Sequence, residues 1–146
     1  MSQSVISDVS FLDAQVVQSS MAVNREQPGE GAEVIAELAV GMHPEDLVSD
    51  KGVWTKRVSL TISVVAHDDG PEGAERVRAS VILDGGASIS CDAIPEAAQA
   101  DRYLATNAVS MLYATGRTYL EMLASMTPIQ RFTLPAIDPY KVVDSH

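Results

Sequence analysis

The run from Pro95 to Met126 places the strongest constraint on how this chain can fold. It has no internal proline, and its apolar side chains recur at spacings of three and four residues, which predicts one amphipathic helix of about eight turns. A proline-punctuated segment at 128–140 follows and predicts an extended arm. An apolar stripe of this length needs a large partner surface. Its members are Leu104, Ala108, Met111, Leu112, Thr115, Tyr119, Met122, Leu123 and Met126.

Upstream of the helix, apolar and polar residues alternate with the period of two that is typical of β-strands. The loop at 68–73 is rich in turn-forming residues, so we expect the strands on either side of it to form an antiparallel hairpin. The sequence Asp84-Gly85-Gly86 is expected to end the last strand. Four strands followed by one long helix predict an α+β fold. The predicted strands cover residues 13–24, 33–41, 57–66 and 75–84.

The length and composition are those of a single globular domain. The chain has 146 residues, of which 46% are hydrophobic and 21% charged, enough for one domain with its own core. We expect residues 1–13 to be a flexible N-terminus and residues 14–146 to form the domain. The N-terminus lacks the basic and apolar regions of a signal peptide, and no run of apolar residues is long enough to span a membrane. These features favour a soluble cytoplasmic protein without a membrane partner.

The charge balance argues against nucleic-acid binding. Twenty acidic residues against ten basic ones give a formal net charge of −10, whereas phosphate contacts need clustered Lys and Arg. The sequence also predicts no enzyme, no metal site and no cofactor. Cys91 has no base at a defining spacing, although His43 and His67 occur elsewhere, and we expect it to be a structural thiol. The residues 43–46 with Asp50 lack the spacing of a calcium loop or a zinc helix.

Three short sequences resemble the SecB family of export chaperones. They are Asp84-Gly-Gly-Ala-Ser-Ile-Ser90 at the end of the last strand, Leu112-Tyr-Ala-Thr-Gly-Arg117 in the helix and Phe132-Thr-Leu-Pro-Ala-Ile-Asp138 in the arm. Element order, length and acidity agree with this resemblance to a divergent member over about residues 14 to 143. It implies a four-stranded antiparallel sheet packed with the long helix and assembled as a homotetramer, a dimer of dimers. It also implies an apolar groove that holds unfolded polypeptide without ATP.

The sequence departs from the family pattern in the helix, on the sheet and after the arm. Ala114 stands where the family has a proline, and the nearby Gly116 would allow either close helix packing or a bend. Family members that dock on the translocase motor carry acidic residues on the outer sheet face, where this chain has Ser19 or Ser20, Asn24 and Ser80, which argues against docking. Many members carry a second helix after the arm, and in this chain we expect that helix to have at most a turn or two.

Two sets of residues are candidates for function. We expect a client polypeptide to lie between the sheet and the arm, and the helices of two subunits to pair. Trp54 has a second interpretation, as an aromatic residue that closes the edge of the core, and the helical methionines could equally fill the core. The predicted client-binding residues are Trp54, Tyr113, Phe132, Leu134 and Ile137. The predicted oligomer interface comprises Leu104, Ala108, Met111, Leu112 and Tyr119.

Two functional hypotheses follow from the resemblance. The first is an ATP-independent SecB-like chaperone that binds non-native polypeptides. The second is a SecB-like scaffold specialised for one protein partner, as a toxin-system chaperone, a regulator or a phage-encoded inhibitor of a host system. The missing acidic docking residues and the short segment after the arm favour this second hypothesis.

Overall fold

A computed structural model describes residues 9–24, 34–68, 74–126 and 134–145. It shows the predicted α+β class, with one sheet packed against one long helix. None of the helices in these ranges combines the length and the hydropathy that a membrane span requires. The elements in chain order are β1 (Ser10–Val23), β2 (Val34–Pro44), β3 (Val48–Asp50), β4 (Val53–Asp68), β5 (Glu75–Ser90), α1 (Ala97–Ser125) and α2 (Pro139–Asp144).

The sheet is antiparallel, with the strand order β1-β5-β4-β2. The four long strands correspond to the four predicted ones, and the antiparallel pairing of β4 with β5 confirms the expected hairpin partners. The short β3, which pairs with the start of β4, is a fifth strand that the sequence pattern did not predict. Its three residues are too few to show an alternation.

The start of β1 and the end of β5 differ from the predicted boundaries. β5 continues through the Asp84-Gly85-Gly86 sequence to Ser90, so the glycines lie inside a strand and do not form a turn. They are needed for close packing, since a Cβ at Gly85 would lie 2.8 Å from Leu112 Cδ2 and one at Gly86 would meet the Lys56 carbonyl oxygen. β1 begins at Ser10, so residues 10–13 are strand rather than flexible N-terminus. Two register shifts in its pairing with β5 interrupt the alternation of apolar and polar residues along β1.

The core lies between α1 and one face of the sheet. Even-numbered residues of β4 and odd-numbered residues of β5 face the helix, as in the cross-strand pair Leu60 and Leu83. Leu104 and Leu112 of α1 are fully buried against them. On the other face of the sheet, β4 and β5 carry mainly polar or small side chains. One face therefore packs against the helix and the other faces solvent.

Gly116 allows α1 to approach the sheet closely. A Cβ at this position would lie 2.9 Å from Leu83 Cδ1 and closer still to Ile62 Cδ1. These short distances assign Gly116 to close packing of α1, which continues as one helix across this position.

The C-terminal segment returns antiparallel along α1. Leu134 lies beside Glu121 near the end of the helix, and Asp144 lies beside Arg102 near its start. α2 has six residues, within the predicted turn or two, and contacts both α1 and β2. α2 therefore lies against β2, whereas α1 contacts β1, β4 and β5.

Candidate functional site

A surface groove of about 410 Å³ lies between α1 and the C-terminal arm. The helix residues recur at three- and four-residue intervals, which brings them to one face of α1. Pro135 and Pro139 restrict the backbone of the opposite wall and keep the arm out of a continuous helix. The groove is lined by Ser110, Tyr113, Ala114, Arg117, Thr118 and Glu121 of α1 and by Ala136, Ile137 and Pro139 of the arm segment.

Hydrogen bonds fix the arm to the groove wall. The Tyr113 hydroxyl donates to the carbonyl oxygen of Pro135. The Leu134 amide donates to Glu121 Oε1 over 3.3 Å, and Arg117 Nε donates to the same oxygen over 3.2 Å. Glu121 therefore joins a backbone amide of the arm to a cation on the helix, so the wall is held in place before any ligand binds.

The ionisation of the groove residues supports this arrangement. Burial raises the pKa of the Tyr113 hydroxyl; the charge of Arg117 opposes this shift and that of Glu121 adds to it. Tyr113 consequently stays protonated at neutral pH and remains a hydrogen-bond donor. Arg117 and Glu121 carry opposite charges that cancel within the groove, although the net charge of the protein is −10.

A second set of contacts holds α2. Arg102 donates from Nε and Nη2 to the two carboxylate oxygens of Asp144, over 3.1 and 3.0 Å, and its guanidinium carbon lies 4.9 Å from the centre of the Tyr140 ring. The hydrogen bond from Arg102 lowers the pKa of Asp144, and the same bond raises the pKa of Arg102. Asp138 caps the helix by accepting from the Tyr140 amide over 3.0 Å. We call the Arg102, Tyr140 and Asp144 cluster the α2 latch.

The structure brings some of the predicted client-binding residues together and separates others. Tyr113 and Ile137 line the groove, and their contact with a client stays a prediction. Leu134 is adjacent but completely buried in the core, so it is not available to a ligand while the arm is in place. Trp54 is not among the lining residues; its Nε1 donates to the Ile94 carbonyl over 2.8 Å, which favours the core-edge interpretation. Phe132 lies outside the described residues.

Three of the predicted interface residues require correction. Leu104, Ala108 and Leu112 are completely buried against the chain's own sheet, so they offer no surface to a second copy. The error has a physical cause, because an apolar stripe has the same period whether its partner is a sheet of the same chain or a neighbouring subunit. Met111 and Tyr119 are only partly buried, and the Tyr119 hydroxyl is 2.8 Å from Ser19 Oγ on β1.

The predicted client-binding and interface residues include neither the polar residues of the groove nor the residues of the α2 latch. Ser110, Arg117, Thr118 and Glu121 share the three- and four-residue spacing of the apolar stripe but occupy another face of the helix. This second periodicity was the signal that could have identified them. The Arg102 to Asp144 pair had no such signal, since its partners are 42 positions apart.

An apolar surface on β1 and the adjoining side of α1 is a second candidate site. Phe11 and Val17 are 49% and 52% exposed on the edge strand, and Met122 of α1 is 48% exposed. β1 pairs only with β5, so one side of its backbone has no ladder partner among the described strands. We call Phe11, Val16, Val17 and Met122 the β1 surface.

In the described residues, no group of three or more His, Cys, Asp or Glu side chains is placed to hold a metal ion.

Comparison with known proteins identifies a structural neighbour. No protein-family model and no curated protein matches this sequence. Among solved structures, the chain is similar to the SecB-like chaperone Rv1957 of Mycobacterium tuberculosis in complex with a ChAD peptide from the antitoxin HigA1 (Rv1956). The TM-score is 0.55 at 16% sequence identity, over 89% of this chain and 91% of that chain. The chain therefore has a SecB-like fold.

Proposed function

We propose that this protein is an ATP-independent molecular chaperone that holds non-native polypeptide segments in the groove between α1 and the arm. The observation that carries the proposal is a preformed, open groove in a fold shared with a chaperone solved with a bound peptide. We propose no enzymatic activity, no cofactor and no nucleic-acid partner for this protein. We expect it to act in the cytoplasm and without docking to the translocase motor.

The groove suits an extended segment rather than a folded domain. A volume of about 410 Å³ accommodates a few side chains. Tyr113, Ala114 and Ile137 provide apolar walls, and such contacts demand area rather than fixed donor geometry, which permits varied clients. Arg117 and the hydroxyl of Ser110 can bind backbone carbonyl groups of the segment.

Filling the groove tests this function. In Ala114→Trp an indole would occupy the groove, whereas Ala98→Trp adds the same side chain at an exposed position of α1 that does not line it. We expect the wild type and A98W to bind a reduced, unfolded protein and delay its aggregation, and A114W to bind it about tenfold more weakly. Equal binding by A114W and A98W, or no binding by the wild type, would reject the proposal.

A specialised partner is the second candidate function. The peptide bound to the neighbouring structure comes from one antitoxin, and the groove of this chain combines apolar walls with an Arg117 to Glu121 pair, which narrows the choice of ligand. Under this alternative the protein is a toxin-system chaperone, a regulator or a phage-encoded inhibitor of a host system. An affinity pulldown separates the two candidates, because a generalist recovers many unfolded clients and a specialist recovers one partner.

We also propose that the protein is a homo-oligomer, with a tetramer as the expected form. The β1 surface exposes large apolar side chains on an edge strand, a combination that favours association with another chain. We therefore assign the subunit contact to the β1 surface together with Met111 and Tyr119, in place of the buried residues of α1.

A further inference from the structure

The C-terminal arm lies against α1 in the way that a bound peptide would. Leu134 is a completely buried anchor, and Ile137, three residues later, packs against the core. Between these side chains the main chain is bound at Leu134 N–H and at the Pro135 carbonyl oxygen. Buried side chains at fixed intervals combined with main-chain hydrogen bonds are the usual contacts of an extended peptide in a groove.

The end of the arm is held only at the surface. None of the described residues of α2 is buried, and Val142 and Val143 are only partly covered. The side chains of Arg102 and Asp144 are 54% and 55% exposed, so their ion pair is in contact with water. Exposed ion pairs contribute little to stability, and segments with few buried contacts open locally before the rest of the fold.

A side chain of another polypeptide can replace Leu134 in the core, so displacement of the arm need not leave a cavity. If α2 detaches and Leu134 leaves the core, a leucine from another polypeptide restores the same apolar contacts. The arm keeps an advantage because it is tethered, which gives it a high effective concentration. The apparent affinity for an outside segment is then the intrinsic affinity multiplied by the fraction of molecules in which the arm is open.

We infer that the C-terminal arm is a displaceable internal occupant of the cleft that Leu134 and Ile137 fill beside α1. A client segment with two apolar side chains three residues apart takes the places of Leu134 and Ile137, and the α2 latch sets how readily this happens. This inference rests on the proposed function. It adds the spacing of apolar side chains that the cleft recognises, and it names the α2 latch as the contact that restrains the arm.

A labelled peptide with the sequence of residues 132–140, Phe-Thr-Leu-Pro-Ala-Ile-Asp-Pro-Tyr, tests the inference by fluorescence anisotropy. Asp144→Asn weakens the latch at an exposed position, and Asp92→Asn makes the same charge change at an exposed carboxylate outside it. We expect D144N to bind the peptide about threefold more tightly than the wild type, and D92N to match the wild type. A control peptide with serine in place of Leu134 and Ile137 is expected not to bind.

Hydrogen exchange of the wild type gives a readout that needs no variant. When an unfolded client is added, we expect the amides of residues 134–145 to exchange faster because the arm is displaced. If exchange slows or does not change while the client binds, the inference is overturned and the proposed function stands. Equal peptide binding by D144N and D92N also overturns the inference. If neither client nor peptide binds any of the proteins, the proposed function fails as well.

Discussion

At the scale of single residues, glycines decide how closely the elements approach one another. Gly116 faces the ends of the Ile62 and Leu83 side chains, whereas Gly86 in β5 faces the backbone carbonyl of Lys56. A side-chain end can shift by rotation, but a backbone group in a central strand cannot move without disturbing its ladder. The same residue type therefore has a different cost of replacement at each position.

Gly86→Ala is expected to destabilise the protein by about 2–4 kcal/mol, because the new methyl group would displace the Lys56 backbone between two paired strands. Gly41→Ala is the matched control, since nothing lies within 4 Å of a Cβ at Gly41 and alanine is favoured over glycine in a strand. Urea unfolding of both variants measures the difference. Equal stability of G86A and G41A would contradict the packing argument.

Tyr113→Phe removes one hydroxyl and tests the bond to the arm. We expect a loss of about 1 kcal/mol in unfolding free energy, because the Pro135 carbonyl loses its donor. Tyr103→Phe is the control, since Tyr103 is 39% exposed on the same helix and water can replace a contact of its hydroxyl. Thermal or urea unfolding of the two variants should separate them. A Y113F protein as stable as Y103F would show that the bond makes no net contribution.

At the scale of elements, one helix serves two surfaces. The face of α1 that carries Leu104 and Leu112 packs on the sheet, while the face that carries Tyr113 and Arg117 borders the groove. The arm lines the other side of the groove, and α2 lies against β2. While the arm lies against α1 it forms one wall of the groove, and the α2 latch holds the end of this segment.

Acid should release α2. The folded-state pKa of Asp144 lies below its ordinary value of 3.8, so its contribution is fully present well above pH 3.8 and is lost as the pH falls through the lower folded-state value. We expect the NMR resonances of the Tyr140 ring to move toward those of an unstructured peptide below about pH 4. D144N should lack this step. A Tyr140 signal with the same titration in both proteins would exclude Asp144 as its cause.

At the scale of the whole molecule, the sheet has two edges with different characters. β2 lies beside α2, whereas β1 presents its backbone and the exposed Phe11 and Val17. The groove and the β1 surface thus lie on different sides of α1. The proposed subunit contact would therefore leave the groove open.

Light scattering tests the assembly. We expect the wild type to have a mass of about four times 15.6 kDa, and the double variant Phe11→Glu, Val17→Glu to dissociate because it places charges on the β1 surface. Ile35→Glu, at an exposed apolar position on the other edge strand, is the control and should keep the wild-type mass. A monomeric wild type at micromolar concentration would contradict the proposed oligomer.

Local patterns predicted the type and approximate extent of every long element. Alternation of residue types identified the four long strands, and the three- and four-residue spacing identified α1, because each pattern reflects which side chains point the same way. Two residues of the groove, Tyr113 and Ile137, were also named from the sequence. The short β3 and the strand character of Gly85 and Gly86 were missed, because no local periodicity marks them.

The sequence by itself determined the α+β class, the order of the long elements and the apolar stripe of the helix, since these depend on neighbours along the chain. Only the tertiary structure decided what the stripe packs against. It showed Leu104, Ala108 and Leu112 buried on the chain's own sheet, Leu134 inserted into the core and Asp144 paired with Arg102. These contacts join positions distant in sequence, and their partners depend on how the elements pack rather than on the residues beside them.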